Sequence, residues 1–88
     1  MVKKKVQKII DGDTFVTSDG KKVRLANVNA PEKGKNGAPK AKKDLVKIIS
    51  GQSVNVEEVA HDKYGRIVAK VQVDGKSVNK KMREKGWK

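Results

Sequence analysis

The spacing of apolar residues along this chain switches twice, from every second position to helical spacing and back, and those switches fix the kind of molecule it can form. From Val2 to Ile10 the apolar residues Val2, Val6 and Ile10 fall at even positions with Lys3 and Lys5 between them, a period of two that predicts a half-buried strand. Asp11-Gly12 marks a turn, Thr14-Phe15-Val16-Thr17 is β-branched and aromatic, Asp19-Gly20 is a hairpin dipeptide, and Lys22-Val23-Arg24-Leu25-Ala26 resumes the alternation. Three antiparallel strands joined by tight turns are therefore expected. The charged stretch from Asn27 to about Gly37, with Pro31 and Gly34 in it, suits a surface loop.

Between Ala38 and Ser50 the spacing becomes helical. Ala41, Leu45, Ile48 and Ile49 share one face and Lys40, Lys43 and Lys47 the other, with Pro39 in the first turn and Gly51 at the stop. The period of two returns in Ser53 to Ala60 and in Arg66 to Val73, where Ile67, Ala69, Val71 and Val73 lie on one side. Glu57-Glu58 interrupts the first of these as a bulge or a strand end. Asp74-Gly75 is another turn, and Ser77 can cap a short closing helix that carries Val78 and Met82 and stops at Gly86. The predicted order is β-β-β-α-β-β-α, an all-β core with added helices in one domain over residues 1–88. Five short strands with a helix between the third and fourth match the OB-fold, a small, partly open Greek-key barrel that commonly binds oligonucleotides. The same periodicity admits an SH3-like barrel with an inserted helix.

Composition narrows the function classes. With 35% hydrophobic and 3% aromatic residues, the core must be small and made mainly of Val, Ile, Leu and Ala. No window approaches the ~18 consecutive apolar residues that a bilayer span needs, and no apolar run of roughly 7 to 15 residues follows the basic start, as a signal peptide would require. The sequence leaves the compartment open and predicts no membrane partner. The absence of Cys excludes disulfides, Cys-ligated zinc and thiol catalysis. Against 10 acidic residues stand 22 Lys and Arg, a net charge of +12 that favours polyanions such as nucleic acid; a merely solubilising lysine surface is the plainer alternative.

The acids are few, and three of them sit beside strand ends: Asp11 and Asp13 in Asp11-Gly12-Asp13-Thr14, and Glu32 in Asn29-Ala30-Pro31-Glu32. Alone, the first segment reads as a turn with local Asp hydrogen bonds. Glu32 alone reads as a solvated loop residue, and Arg24 or Arg66 as one more surface cation. Four segments in order say more: Ile10-Asp11-Gly12-Asp13-Thr14, the run from Val23-Arg24-Leu25 to Asn29-Ala30-Pro31-Glu32, Asp62-Lys63-Tyr64-Gly65-Arg66, and the run from Asp74-Gly75 to Asn79. Together they resemble the thermonuclease family, the staphylococcal nuclease type of calcium-dependent phosphodiesterase, over nearly the full chain. That family's barrel is an OB-fold with a helix between the third and fourth strands, as the pattern predicts here.

The resemblance implies a nuclease that hydrolyses phosphodiester bonds of DNA or RNA, with calcium as cofactor and nucleic acid, single-stranded favoured, as partner of a monomer. It makes Arg24, Glu32 and Arg66 catalytic: the two guanidinium groups hold the phosphate and Glu32 orients or deprotonates the attacking water. It places Asp13, Asn29 and the Ala30 carbonyl at the metal, and Lys63 and Tyr64 against the nucleotide, although Tyr64 equally suits packing on its turn. Hydrolysis builds negative charge on phosphate oxygens, which a divalent ion and bidentate Arg donors stabilise, and calcium selects hard oxygen ligands. The alternation independently sets Arg24 out of phase with Val23 and Leu25, on the other side of the sheet.

The chain departs from the family pattern in two respects. Asn29 stands where a carboxylate is expected, which removes one negative charge from the metal site. Family members also usually continue past the helix that ends here near Gly86, with a further helix and an aromatic contact to the nucleotide. Both departures support an alternative expectation, a catalytically weak basic OB-fold module that binds single-stranded nucleic acid. His61 is expected on the surface without a role, and Trp87 as the anchor of the last helix.

Overall fold

A computed structural model describes residues 2–88 and contains the elements that the patterning asks for. Strands β1 (Val2–Asp11), β2 (Thr14–Thr17) and β3 (Lys22–Leu25) form an antiparallel meander. Helix α1 (Ala38–Ile49) follows, then β4 (Ser53–His61), β5 (Ile67–Val73), a two-residue β6 (Lys76–Ser77) and α2 (Val78–Glu84). The sheet order is β3-β2-β1-β4-β5-β6, and parallel pairing of Val23, Arg24 and Leu25 with Ile67, Val68 and Ala69 joins β3 to β5. That pairing closes five strands into a barrel with α1 inserted after β3, the OB-fold arrangement and not the SH3-like one. The sequence pattern did not predict β6, which pairs with the end of β5.

Strand β1 serves two neighbours. Its first half, Val2 to Lys5, pairs with β4, and its second half, from Val6 onward, pairs with β2 across two register shifts, between Val6 and Lys8 and between Ile9 and Asp11. A bulge adds an unpaired residue and bends the strand. The regular alternation expected across Val2, Val6 and Ile10 therefore fails: Val2 is 55% exposed, Val6 is buried, and Ile9 packs against the core. A further shift between Glu58 and Ala60 gives β4 the bulge expected after Glu57-Glu58.

Phe15, Val23, Leu25, Leu45, Val54, Val71 and Met82 are among the side chains that fill the core. The buried face of α1 presents Ala38, Ala41, Leu45 and Ile49, while Lys40, Lys43 and Lys47 stay in solvent. Asp44 also lies on that buried face, where it accepts hydrogen bonds from Trp87 Nε1 at 2.9 Å and Lys40 Nζ at 3.2 Å. Trp87 thus ties the segment after α2 to α1, the anchoring role expected of it.

Helix α2 begins where Ser77 Oγ accepts from the Lys80 N–H at 3.1 Å, the expected cap. The turn before it has positive φ at both Asp74 (50°) and Gly75 (76°), which matches the twist of a two-residue hairpin. Buried Asn79 then makes three bonds into the barrel: Nδ2 donates to the Ala26 and Ala69 carbonyls and Oδ1 accepts from Val71 N–H. Among the described residues no helix is long and apolar enough to cross a membrane.

Candidate active site

Three connections on one side of the barrel carry Asp11, Asp13, Glu32 and Arg66, with Arg24 on the adjoining strand β3, and each connection is shaped by its own local chemistry. In the β1–β2 turn Asp11 Oδ1 accepts the Asp13 N–H at 3.2 Å, an Asx-type turn. Gly12 lies underneath, where a Cβ would come within 2.5 Å of the Ala41 Cβ and 2.7 Å of the Ala30 Cβ. Only a residue without a side chain lets the turn sit so close to α1 and to the loop after β3. That loop is fixed from below by fully buried Val28 and from the side by Ala30 N–H, which donates to Asp13 Oδ2 at 3.3 Å. In the third connection Asp62 Oδ1 accepts from the N–H groups of Tyr64 and Arg66, both at 2.9 Å, and Asp62 Oδ2 pairs with Arg66 Nε at 2.5 Å.

The three connections border one cleft of about 430 Å³, lined by Asp11, Asp13, Arg24, Asn29, Ala30, Glu32, Lys33 and Arg66. All six residues expected at the metal and the phosphate are therefore together. Strand alternation delivers Arg24 as predicted: Val23 and Leu25 are buried, and Arg24 turns to the cleft. Its guanidinium donates from Nη1 to the Leu25 carbonyl at 3.1 Å and from Nη2 to Asn29 Oδ1 at 3.0 Å, with Asp13 Oδ2 at 3.5 Å. Arg66 is held through Nε by Asp62, and its Nη1 lies 3.5 Å from Thr14 Oγ1. Both guanidinium groups are thus oriented before any ligand arrives.

The oxygens of Asp13 and Asn29 converge on one positive group, the Arg24 guanidinium, which marks a place where cationic charge is satisfied. Burial, reinforced by the adjacent Asp13 carboxylate, pushes the Asp11 carboxyl up to about 6. Asp11, Asp13 and the Asn29 side-chain oxygen give this cleft hard oxygen donors, the type of group that suits calcium. Among the described residues no three His, Cys, Asp or Glu side chains form a metal-holding group.

Lys63 and Tyr64 do not line this cleft. Tyr64 is 72% exposed beside it, with Lys63 Nζ 5.3 Å and the Arg66 guanidinium 5.5 Å from its ring centre. The ring leans on its own turn through cation–π contacts and keeps most of its surface free. His61 lies in solvent near Glu58, at 3.4 Å. Sequence reasoning gave no role to Asp62 or Lys33, and read Asp11 only as a turn residue with local hydrogen bonds, one of which it accepts from the Asp13 N–H. An Asp three residues before Gly65 is an Asx-turn signal that could have identified Asp62 as the holder of Arg66, whereas Lys33 carries no signal beyond its place after Glu32.

A closed OB barrel whose surface cleft gathers two oriented guanidinium groups and several carboxylates defines the class of fold and site. The comparisons with known proteins specify it further. Residues 22–87 match the family described as staphylococcal nuclease homologue, a span that includes Arg24, Asn29, Ala30, Glu32, Lys63, Tyr64 and Arg66. The chain is 37% identical over 83 residues to an uncharacterized endonuclease of Escherichia coli, covering 89% of this chain and 54% of that protein. It is 36% identical over 86 residues to an uncharacterized endonuclease of Haemophilus influenzae, covering 93% and 48%. A micrococcal nuclease of Shigella flexneri is 38% identical over 69 residues, 75% of this chain and 40% of that protein. The chain belongs to the staphylococcal nuclease family, and it spans about half the length of the first two relatives.

Proposed function

We propose that the chain is a calcium-dependent nuclease that hydrolyses phosphodiester bonds of DNA or RNA, acting as a monomer and favouring single strands. The observation that carries this reading is the convergence of Arg24, Arg66, Glu32 and Asp13 on one cleft, in a member of a nuclease family. Arg24 and Arg66 clamp the phosphate from two directions, each prevented from swinging away by its own partner, Asn29 or Asp62. Glu32 accepts a proton from water as the water oxygen bonds to phosphorus and the opposite P–O bond breaks. The arginines then stabilise the charge on the equatorial oxygens. Asp13, Asn29 and the Ala30 carbonyl would hold calcium, which when bound offsets charge on the phosphate oxygens. Lys63 and Tyr64, beside Arg66, contact the adjoining nucleotide.

The test is release of acid-soluble nucleotides from single-stranded DNA, with calcium and with a chelator. Cleavage that needs calcium and falls by a factor on the order of 10² or more in Glu32→Ala supports the reading. Cleavage that is absent, or unchanged in Glu32→Ala, overturns it. Asn29 favours a second reading, in which the barrel holds single-stranded nucleic acid and does not cut it. Salt-sensitive binding without cleavage by pure protein supports that one.

A further inference from the structure

A second groove, of about 620 Å³, runs between the β1–β2 ribbon and the start of α1. Asp11 and Lys33 line both it and the cleft, so the two adjoin. Their linings differ in kind. The cleft is built from acids and arginines, whereas Ile9, Ile10, Val16 and Pro39 give the second groove an apolar floor. Ile10 and Val16 are only half-buried, so apolar surface stays open to solvent there. Four ammonium groups, of Lys8, Lys22, Lys33 and Lys42, edge this floor, all on exposed residues. Asp11, at the shared end, is the one acid lining it among the described residues.

We propose that this groove is a nucleotide subsite that takes the strand on one side of the phosphate held in the cleft, with base and sugar on the apolar floor and phosphates on the lysines. The proposal rests on the reading of the cleft as a phosphodiester site. Two observations select this occupant. The shared Asp11 and Lys33 set the groove directly beside the cleft, so a strand with its phosphate between Arg24 and Arg66 would meet the groove as its next surface. Charge complementarity is repeated around the floor, as an extended polyanion requires, whereas an apolar ligand with a single acidic head would leave most of the lysines unmatched.

The proposal is tested by binding in the Glu32→Ala background with calcium present, using thymidine dinucleotide and hexanucleotide probes over a salt series. The hexanucleotide should bind more tightly and with a steeper salt slope. In Lys8→Ala/Lys22→Ala/Lys42→Ala the magnitude of that slope should drop by about 2, the sum for three lost phosphate contacts at about 0.7 each on a single strand, while dinucleotide binding is retained. A control with the same loss of charge, Lys47→Ala/Lys76→Ala/Lys81→Ala, removes lysines from a separate groove and should leave the hexanucleotide slope nearly intact. Abasic substitution along the hexanucleotide should weaken binding at a position outside the dinucleotide length in the parent protein and not in the first triple variant.

Equal losses in the two triple variants would overturn the subsite in favour of a general field effect, as would a hexanucleotide that binds no better than the dinucleotide. The outcomes separate from those for hydrolysis. Length-dependent binding lost only in the first variant, with no cleavage by the unmutated chain, upholds the subsite and rejects the nuclease. Calcium-dependent cleavage without any length dependence does the reverse.

Discussion

Asn29 carries the tension in the site at the scale of single residues. Its Oδ1 accepts from Arg24 Nη2 at 3.0 Å, so it holds the guanidinium in place, while the calcium ion proposed for this site would meet only a neutral oxygen there. Restoring the charge should strengthen both contacts. Asn29→Asp is expected to lower the calcium concentration for half-maximal cleavage on the order of tenfold, since affinity in oxygen sites follows the number of charged ligands. A calcium titration of activity reads this directly, and an unchanged midpoint would show that Asn29 contributes nothing to the metal. Asp13, Arg24, Glu32 and Arg66 stood out in the sequence through the family resemblance of the motifs that carry them, and folding gathers all four at one cleft. Asp62, which fixes Arg66, was not assigned although its place before Gly65 signals an Asx turn; the ion pair to the Arg66 side chain is the part that only folding brings about.

Among the elements, the packing of the β1–β2 turn against α1 decides where the acids stand. Gly12 is the contact point, and added volume there has nowhere to go: Ala41 and Ala30 approach from two sides. Gly12→Ala should cost about 1–3 kcal/mol through overpacking, read as a lower urea midpoint at constant slope. Ala41→Gly alone should also destabilise, by roughly 1 kcal/mol in a helix interior, but it should cost less in the Gly12→Ala background because it reopens the space. Equal costs in both backgrounds would show that the two elements do not press on one another. The helix itself was readable from the spacing of Ala41, Leu45 and Ile49. Its buried Asp44 was not, since the Trp87 indole that satisfies it lies 43 positions away.

Over the whole molecule the net charge of +12 makes each acid a local counterweight. Asp19 shows this at the β2–β3 hairpin, where the Lys4 ammonium at 2.5 Å and the Thr17 hydroxyl hold its carboxyl down at about 2, below the ordinary 3.8. Because the folded value is the lower one, Asp19 adds stability above the unfolded value, and that contribution is lost as pH falls through about 2. The urea midpoint of wild type should therefore exceed that of Asp19→Asn at pH 6, and the gap should close between about pH 4 and pH 2. Added salt should narrow it at any pH, since the pair is partly exposed. A gap that stays constant across this window would assign the effect of Asp19 to turn geometry instead of charge.

The sequence by itself determined the order of the main elements, β6 excepted, with the face of α1 that is buried and the hairpin turns, because periodicity, turn dipeptides and caps are short-range physics. Tertiary structure alone decided three other matters. The bulges that let β1 serve two neighbours shift its buried phase from Ile10 to Ile9. Parallel pairing of β3 with β5 closes the barrel and brings Arg24 and Arg66 to one cleft from 42 positions apart. Asn79 satisfies backbone groups near Ala26, Ala69 and Val71 that no local pattern leaves open. Each depends on partners far apart in the chain, and their meeting is fixed by strand register and packing volume, which one-dimensional spacing does not contain.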